Sequence, residues 1–493
     1  IGNLYQMVGN IKLAEEFYTK AISINPAYAA ALVNLGIIRF NENKFAQAIK
    51  LLSSALDNDQ TIALAWIKLT RAYLGLGDRD QAHEVVLKAL DIHPKSLEIN
   101  FLISSILFDK SDLVRAEHYL LKTLEINANC FSAHRVLALL YLKLSKFNLA
   151  ESHQLKAIQL NPNDPTAFNN LSNIFNKQGK YTQALTAIDE AIRLDPSFAE
   201  AYSNKAYLLK RYEYFSEAKI YFTKSIEFDN NLVNAYSGLG EVYELQNDFN
   251  SALDLYQTSI NQFPSNEHLK LGFLRTLNIT CNWNVLEKNL NLLQCIGTQS
   301  TSVEPQSLLY LEDNPEIELR RAQEYYNQNF SLDLVNKTSI HRKNKIRIAY
   351  FSNDFYCHSA MLLLARVIEL HNPELFEIFI YDFGNHPKDK YTHRLMNSVY
   401  KYNLVKDLSN EDLVKLAHED DIDIAIDLIG YGRHNRAIIF SYYLAPIQLS
   451  YLAYDATTAN KSIKYLIADR TLIPEKDQKY YVQDIIYLKN ILY

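Results

Sequence analysis

Residues 146–164 read KFNLAESHQLKAIQLNPND, and the segment 34 positions further on, residues 180–198, reads KYTQALTAIDEAIRLDPSF. In this register Ala150 meets Ala184, Ala157 meets Ala191 and Pro162 meets Pro196. The same register runs outward in both directions. Prolines at 26, 94, 162, 196 and 264 are separated by 68, 68, 34 and 68 residues, all multiples of one period. An alanine stands twelve residues before every repeat mark, as Ala14, Ala48, Ala82, Ala116, Ala150, Ala184, Ala218 and Ala252. A second small position, five residues before the mark, holds Ala21, Ala55, Ala89, Ala157 and Ala191 and relaxes to Thr123, Ser225 and Ser259. Large partners keep the spacing too: Leu35, Leu69, Leu137, Leu171 and Leu239, with Tyr73, Tyr141, Phe175 and Tyr243 four residues after four of these leucines.

A period of 34 residues is that of tetratricopeptide helix pairs. The alanines follow from close packing, because where two antiparallel helices cross only a methyl group leaves room for the neighbouring backbone. The reading is therefore an α-solenoid over residues 1–264, a superhelix of about eight repeats with each of these alanines at a helix crossing. Ile1, Gly2 and Tyr5 stand 34 residues ahead of Leu35, Gly36 and Arg39, so the chain is expected to begin inside a helix, as a fragment without an initiator Met. In tetratricopeptide arrays the residue before the Leu-Gly pair faces the concave groove. Here it reads Asn34, Lys68, Leu102, Val136, Asn170, Asn204 and Gly238. A carboxamide can accept from and donate to one peptide unit at once, which makes Asn34, Asn170 and Asn204 candidate holders of an extended acceptor peptide. Ordinary surface asparagines are the plainer alternative.

The bulk numbers agree and exclude other classes. At 493 residues the chain is too long for one core, and 48% hydrophobic residues with only 13 Gly and 12 Pro describe a helix-rich array plus a domain. A net charge of −6 leaves no cationic excess to neutralise a phosphate backbone, so nucleic acid is not an expected partner. No apolar run approaches the roughly 20 residues that cross a bilayer, and no signal core opens the chain, so a membrane role and secretion are not expected. Cys130, Cys281, Cys295 and Cys357 show no CxxC spacing and read as free thiols of a cytoplasmic protein. The sequons at Asn278, Asn336 and Asn460 then carry no meaning, and neither a metal nor a cofactor is expected.

After Pro264 the small-residue register stops. Residues 265–344 read as a bridge of irregular helices, with an amphipathic stretch from Pro315 to Phe330. From residue 345 to 493 the rhythm changes again. Apolar β-rich runs at Ile346–Phe351, Phe376–Asp382, Ile422–Ile429, Ile447–Tyr454 and Tyr465–Asp469 alternate with helical segments near Ala360–His371, His386–Tyr400, Asn410–Glu419 and Asn435–Leu444. Such alternation predicts a parallel sheet covered on both faces, a Rossmann-like α/β lobe. Ligands of such sheets lie beyond the carboxyl ends of the strands. The loops to read are Ser352–Ser359, Gly430–Arg436 and Tyr454–Ala459. In the first, Asp354 and His358 could do acid–base work on a hydroxyl, or serve as turn and capping residues.

The order of these motifs resembles one family. A tetratricopeptide array, a bridge with Pro305 to Leu309, and a lobe opening Ile-Ala-Tyr-Phe-Ser-Asn-Asp-Phe-Tyr-Cys-His-Ser are similar to the protein O-linked N-acetylglucosamine transferases and their Spindly-type relatives. The likeness continues through Asp427–Tyr431, Arg436, Ala445–Gln448 and Tyr451–Thr458. The resemblance implies the N-terminal half of a two-lobed GT-B glycosyltransferase, acting from a nucleotide sugar, with UDP-N-acetylglucosamine as the implied donor, on Ser and Thr of acceptor proteins bound by the repeats. It carries catalytic roles to Asp354 and His358, and places Ser359, Leu452, Ala453, Tyr454 and Thr457 beside the donor sugar.

Three departures stand against the family pattern. His358-Ser359 replaces His-Pro, and Leu452-Ala453-Tyr454-Asp455-Ala456-Thr457 replaces Leu-Gly-Tyr-Pro-Gly-Thr. The chain also ends before the second lobe, which in the family holds the nucleotide. As given, it is expected to be inactive alone. A tetratricopeptide scaffold with a degenerate lobe is the alternative reading.

Overall fold

The computed structural model describes residues 1–144, 146–298, 303–330, 344–384, 386–432, 435–452, 454 and 456–489. The chain divides into two compact units, Ile1–Ala201 and Tyr202–Tyr493, and the division falls inside the helix Ala199–Arg211.

The first unit is built from helix pairs: Ala29–Asn41 with Phe45–Asn58, Ala63–Gly75 with Arg79–Ile92, Leu97–Asp109 with Leu113–Ile126, Phe131–Lys143 with Phe147–Leu160, and Pro165–Lys177 with Tyr181–Leu194. The first helix of a pair has 13 residues and the second 14, and turns of three and four residues complete the period. All eight alanines of the register, in both units, have no exposed surface. Enlarging Ala150 to leucine is therefore expected to overpack a crossing and cost about 1–3 kcal/mol, whereas Asn170→Ala should leave the denaturation midpoint nearly unchanged. Equal losses for the two would contradict this division.

A further register lies in the backbone. Gly9, Asn43, Gly77, Ser111, Gly179, Glu213, Asn247 and Cys281 all adopt positive φ, between 54° and 81°, in the turn that follows a first helix. The left-handed residue there lets the chain reverse in three residues. Glycine or asparagine fills it most often. Where Glu213 and Cys281 do so, the Cβ clash costs about 1–2 kcal/mol.

One polar contact interrupts the apolar core of this unit. His134 Nε2 faces the carbonyl oxygen of Ala128 at 3.0 Å and must carry its proton there, so its Nδ1 accepts from His153 Nδ1 at 2.9 Å. Burial, and then the neighbouring His134, push His153 below its ordinary value of 6.5. Burial does the same to His83. A histidine depressed in the folded state leaves the unfolded chain holding more protons, so the stability it contributes is present above pH 6.5 and lost as pH falls below it. The melting temperature is expected to drop between about pH 7.5 and 5.5, less so in His153→Gln. A drop of the same size in both would contradict the assignment.

In the second unit the pairs continue with Phe215–Phe228, Val233–Leu245 and Phe249–Gln262, and Glu267–Ile279 starts 34 residues after Val233. Trp283–Asn289 likewise starts 34 residues after Phe249, so the helical spacing runs two helices past residue 264, where the sequence register ends. Short 3₁₀ turns at Leu290–Cys295 and Pro305–Leu308, and the helix Pro315–Asn329, follow.

The lobe holds a sheet of seven parallel strands: β1 Ile346–Ser352, β2 Phe376–Asp382, β3 Lys401–Leu404, β4 Ile424–Asp427, β5 Ile447–Tyr451, β6 Tyr465–Ala468 and β7 Asp484–Tyr487. Their order is β3-β2-β1-β4-β5-β6-β7. Ile348, Ile380, Ile426 and Leu449 pack on one face with Met361 and Leu364 of the helix Ser359–Glu369. Ala349, Phe351, Phe379 and Ala425 pack on the other with Leu413 and Phe440. Three strands are shorter than the sequence suggested, β6 only by its last residue, Asp469. β4 stops at Asp427 because its side chain accepts the N–H groups of Ile429 and Gly430, and β5 stops at Tyr451 because Leu452 turns to φ 74°. The helix expected near Asn435–Leu444 is a 3₁₀ helix at Ala437–Tyr442.

Candidate active site

Strand order reverses direction between β1 and β4, so the loops that follow them open a crevice at the carboxyl edge of the sheet, the place where open α/β sheets take ligands. The loop after β1 carries Asp354 and His358, both partly exposed. His358 is the N-cap of the helix Ser359–Glu369, its Nδ1 accepting the N–H of Ala360 at 3.3 Å. A ring that accepts at Nδ1 carries its proton on Nε2 when neutral, which leaves Nε2 as the N–H donor of His358. Asp354 Oδ2 stands 3.9 Å from Nδ1, too far for a hydrogen bond. Ser359 occupies the first helical position and is exposed; proline is equally suited to that position, so His-Ser keeps the cap geometry of His-Pro.

Two residues hold this loop from below. Asp389 caps the helix Lys390–Ser398 and also accepts the N–H of Cys357, while Thr392 Oγ1 donates to the carbonyl of Phe355 at 2.8 Å. Burial works against the Asp389 anion, but the N–H groups of Thr392, Cys357 and Tyr391 hold its carboxyl below the ordinary range. Gly384 lets the next loop approach, since a Cβ there would lie 2.3 Å from the carbonyl oxygen of Asn353.

After β4, Asp427 is buried between the crevice loops. Burial pushes its carboxyl up, against two backbone N–H groups that favour the anion. The described side chains of the segment after β5 are packed inside the lobe. Tyr454 is 5% exposed and its ring lies 5.8 Å from that of Tyr431, which in turn stacks on Phe330 and meets Tyr325 of the helix Pro315–Asn329. Leu452 and Tyr454 also line a small pocket with Leu466, Ala468 and Ile473. Thr457 is buried, donating to Gln483 Oε1 at 2.8 Å. Ala453, Asp455, Arg433 and His434 lie outside the described residues.

The groove candidates are partly buried. Asn34 donates to Asn3 Oδ1 at 3.0 Å, and Asn170 makes no hydrogen bond with the described residues. Asn204 is likewise only partly exposed. Two residues that marked the family resemblance turn out to be internal braces. Arg436 donates to Asn410 Oδ1 and to the carbonyls of Val405 and Leu408, with burial pushing its guanidinium down to about 10. Gln448 is bonded to the backbone of Phe440, Leu444 and Ser462. Among the described residues no three His, Cys, Asp or Glu side chains gather where a metal could be held, and no helix is long and apolar enough to cross a membrane. Sequence reading passed over Asp382 and His386, which lie beside the Asp354–His358 loop and share its Asp-Phe-x-x-His pattern.

Helical repeats thus precede a parallel α/β lobe whose switch-point loop carries Asp354 and His358. Residues 321–493 match the model of glycosyl transferase family 41, and tetratricopeptide repeat models match residues 7–66, 42–98, 135–164, 153–186, 199–232 and 235–266. The chain thus combines segments similar to tetratricopeptide repeats with a segment similar to glycosyl transferase family 41. It is 31% identical to the probable UDP-N-acetylglucosamine–peptide N-acetylglucosaminyltransferase SEC of Arabidopsis thaliana over 29% of this chain and 15% of the plant protein. It is 25% identical to the UDP-N-acetylglucosamine–peptide N-acetylglucosaminyltransferase of Caenorhabditis elegans over 32% of this chain and 14% of that protein. The matched part therefore spans about one seventh of these relatives. Among solved structures, an O-GlcNAc transferase mutant from Thermobaculum terrenum aligns over 73% of this chain and 58% of its own, at 20% identity and a TM-score of 0.35.

Proposed function

We propose that the full-length protein transfers a sugar from a nucleotide donor, UDP-N-acetylglucosamine by likeness to its named relatives, to Ser and Thr hydroxyls of proteins whose extended segments are held by the repeats. The observation that carries this reading is the coincidence, in one segment, of the family 41 match over residues 321–493 with the Asp354–His358 loop at the switch point of the sheet. In this reading Asp354 takes the proton of the acceptor hydroxyl, and His358 donates from Nε2 to oxygen on the donor side. Orientation of the two reactants supplies much of the rate. Asn34, Asn170 and Asn204 hold the acceptor backbone, and Ser359, Leu452, Ala453, Tyr454 and Thr457 shape the donor side of the crevice, with Tyr454 and Thr457 contributing through the backbone they fix.

The test is to incubate the full-length protein with labelled UDP-N-acetylglucosamine and, separately, labelled GDP-fucose, together with a Ser/Thr-rich acceptor protein. Label entering the acceptor from the first donor is the expected result. No label from either donor, with acceptor peptides still bound to the repeats, would replace the transferase by a scaffold.

A further inference from the structure

The pattern Asp-Phe-x-x-His occurs twice at the carboxyl edge of the sheet, as Asp354 to His358 after β1 and as Asp382 to His386 at the end of β2. The second copy has no part in the roles assigned above. The Asp382 side chain is fully buried and takes three donors: the N–H of Gly384 at 2.9 Å, the Tyr402 hydroxyl at 2.7 Å and His386 Nε2 at 3.3 Å. Burial and the Asp382 carboxylate push the Tyr402 phenol far above its ordinary range, which keeps it a donor. His386 Nδ1 faces the carbonyl oxygen of Pro387 at 3.3 Å. Both ring nitrogens thus face acceptors, Asp382 at Nε2 and the Pro387 carbonyl at Nδ1. Tyr356 lies stacked on this ring, centroids 4.6 Å apart at 26°, and the same tyrosine stands 5.6 Å from the ring of His358.

We infer that His386 is a positioning residue: clamped by Asp382 on one side and stacked on Tyr356 on the other, it fixes the backbone from which Asp354 and His358 project. This rests on the transferase reading for its catalytic consequence. The titratable groups around the ring are Asp382 and Tyr402 from β2 and β3, Tyr356 and His358 from the loop after β1, and Asp389, which accepts the N–H of Cys357. Losing the clamp frees the loop to shift, and a displacement of about 1 Å in a catalytic group lowers turnover by up to roughly 100-fold.

The experiment uses full-length protein with isotope-labelled histidine rings, comparing wild type with His386→Phe, which keeps a ring to stack but cannot be clamped, and with Tyr356→Leu, a change at a partly exposed loop position that the fold tolerates. The His358 ring signal is expected to shift or broaden in both variants while the thermal midpoint of the protein stays close to wild type. In the transfer assay kcat is expected to fall roughly 10- to 100-fold with the acceptor KM within about twofold, and His386→Gln, which can still donate to Asp382, should recover part of the loss. An unchanged His358 signal in both folded variants overturns the inference. A changed signal in a protein that, even as wild type, transfers no sugar upholds the positional link and removes the transferase reading instead.

Discussion

An Arg321→Leu variant is expected to lose about 3–5 kcal/mol of stability in the Tyr202–Tyr493 unit. Arg321 is 2% exposed, the largest of the fully buried side chains. Its Nε donates to the carbonyl of Ile296 at 2.9 Å and its Nη2 to that of Leu293 at 2.8 Å, while Nη1 lies 2.7 Å from Glu312 Oε2. One guanidinium thereby ties the helix Pro315–Asn329 to the 3₁₀ turn Leu290–Cys295 and neutralises a largely buried carboxylate. Leucine fills much of the volume but removes the Arg321 donors from both carbonyls, of which Leu293 keeps the N–H of Ile296, and leaves Glu312 without its cation; removing one partner of a buried pair is costly for that reason. Glu318 compounds the loss. Burial and Asp313 already push its carboxyl up, and Arg321 is the group that pulls it back. Arg470→Leu, in the same unit, is the control, because its pair with Glu475 is exposed on both sides and exposed pairs contribute about 0–1 kcal/mol. Denaturation followed at Trp283 in a Trp66→Phe background reads the second unit, since these are the chain's two tryptophans. Similar small losses for the two arginines would refute the brace.

The second expectation concerns chemistry. In the full-length protein, His358→Phe should lower transfer by roughly 10²–10⁴-fold, and Asp354→Asn should have an effect of the same order. Phenylalanine removes both the Nε2 donor and the cap on the N–H of Ala360, and the lost cap alone costs about 1 kcal/mol. His358→Asn separates these functions. Asparagine is a good N-cap, so the melting temperature should return towards wild type while turnover stays low. Recovery of turnover in His358→Asn would reduce the imidazole to a capping group and move the proposed chemistry elsewhere.

Much of this molecule could be read from its residues, and the failures have physical causes. The alanine register marked eight fully buried positions in the second helices of the pairs, where a small side chain leaves room for the neighbouring backbone. The two strands that went unread, Lys401–Leu404 and Asp484–Tyr487, are the two edges of the sheet. Each has four residues, none of them fully buried, so neither leaves an apolar run. The helix read from His386 begins instead at Lys390, because Asp389 and Thr392 form a capping box there. Asp354 and His358 were legible as polar residues in a strand-to-helix loop. Which nitrogen of His358 is the donor was not, since that depends on a cap only the folded loop makes. Tyr454 shows the limit most plainly. A tyrosine after a strand says nothing about whether its ring meets a ligand or a helix that is 125 residues away in sequence by its last residue, Asn329.

That aromatic contact also bears on which pieces of the chain can travel together. Ala322, Tyr325, Tyr326 and Phe330 form one half of a hydrophobic cluster whose other half is Tyr431, Ala437, Tyr454, Ala456 and Ala459. A boundary drawn at residue 345 by the change from helical to strand rhythm would cut this cluster in two. The segment matched to family 41 starts at Arg321, inside the same helix. A protease nick, a gene fusion or a recombination event between Phe330 and Lys345 would leave each half with a bare aromatic face, prone to aggregate. The smallest heritable module containing this lobe therefore opens no later than Pro315, and the helix it opens with belongs to the lobe rather than to the repeats before it.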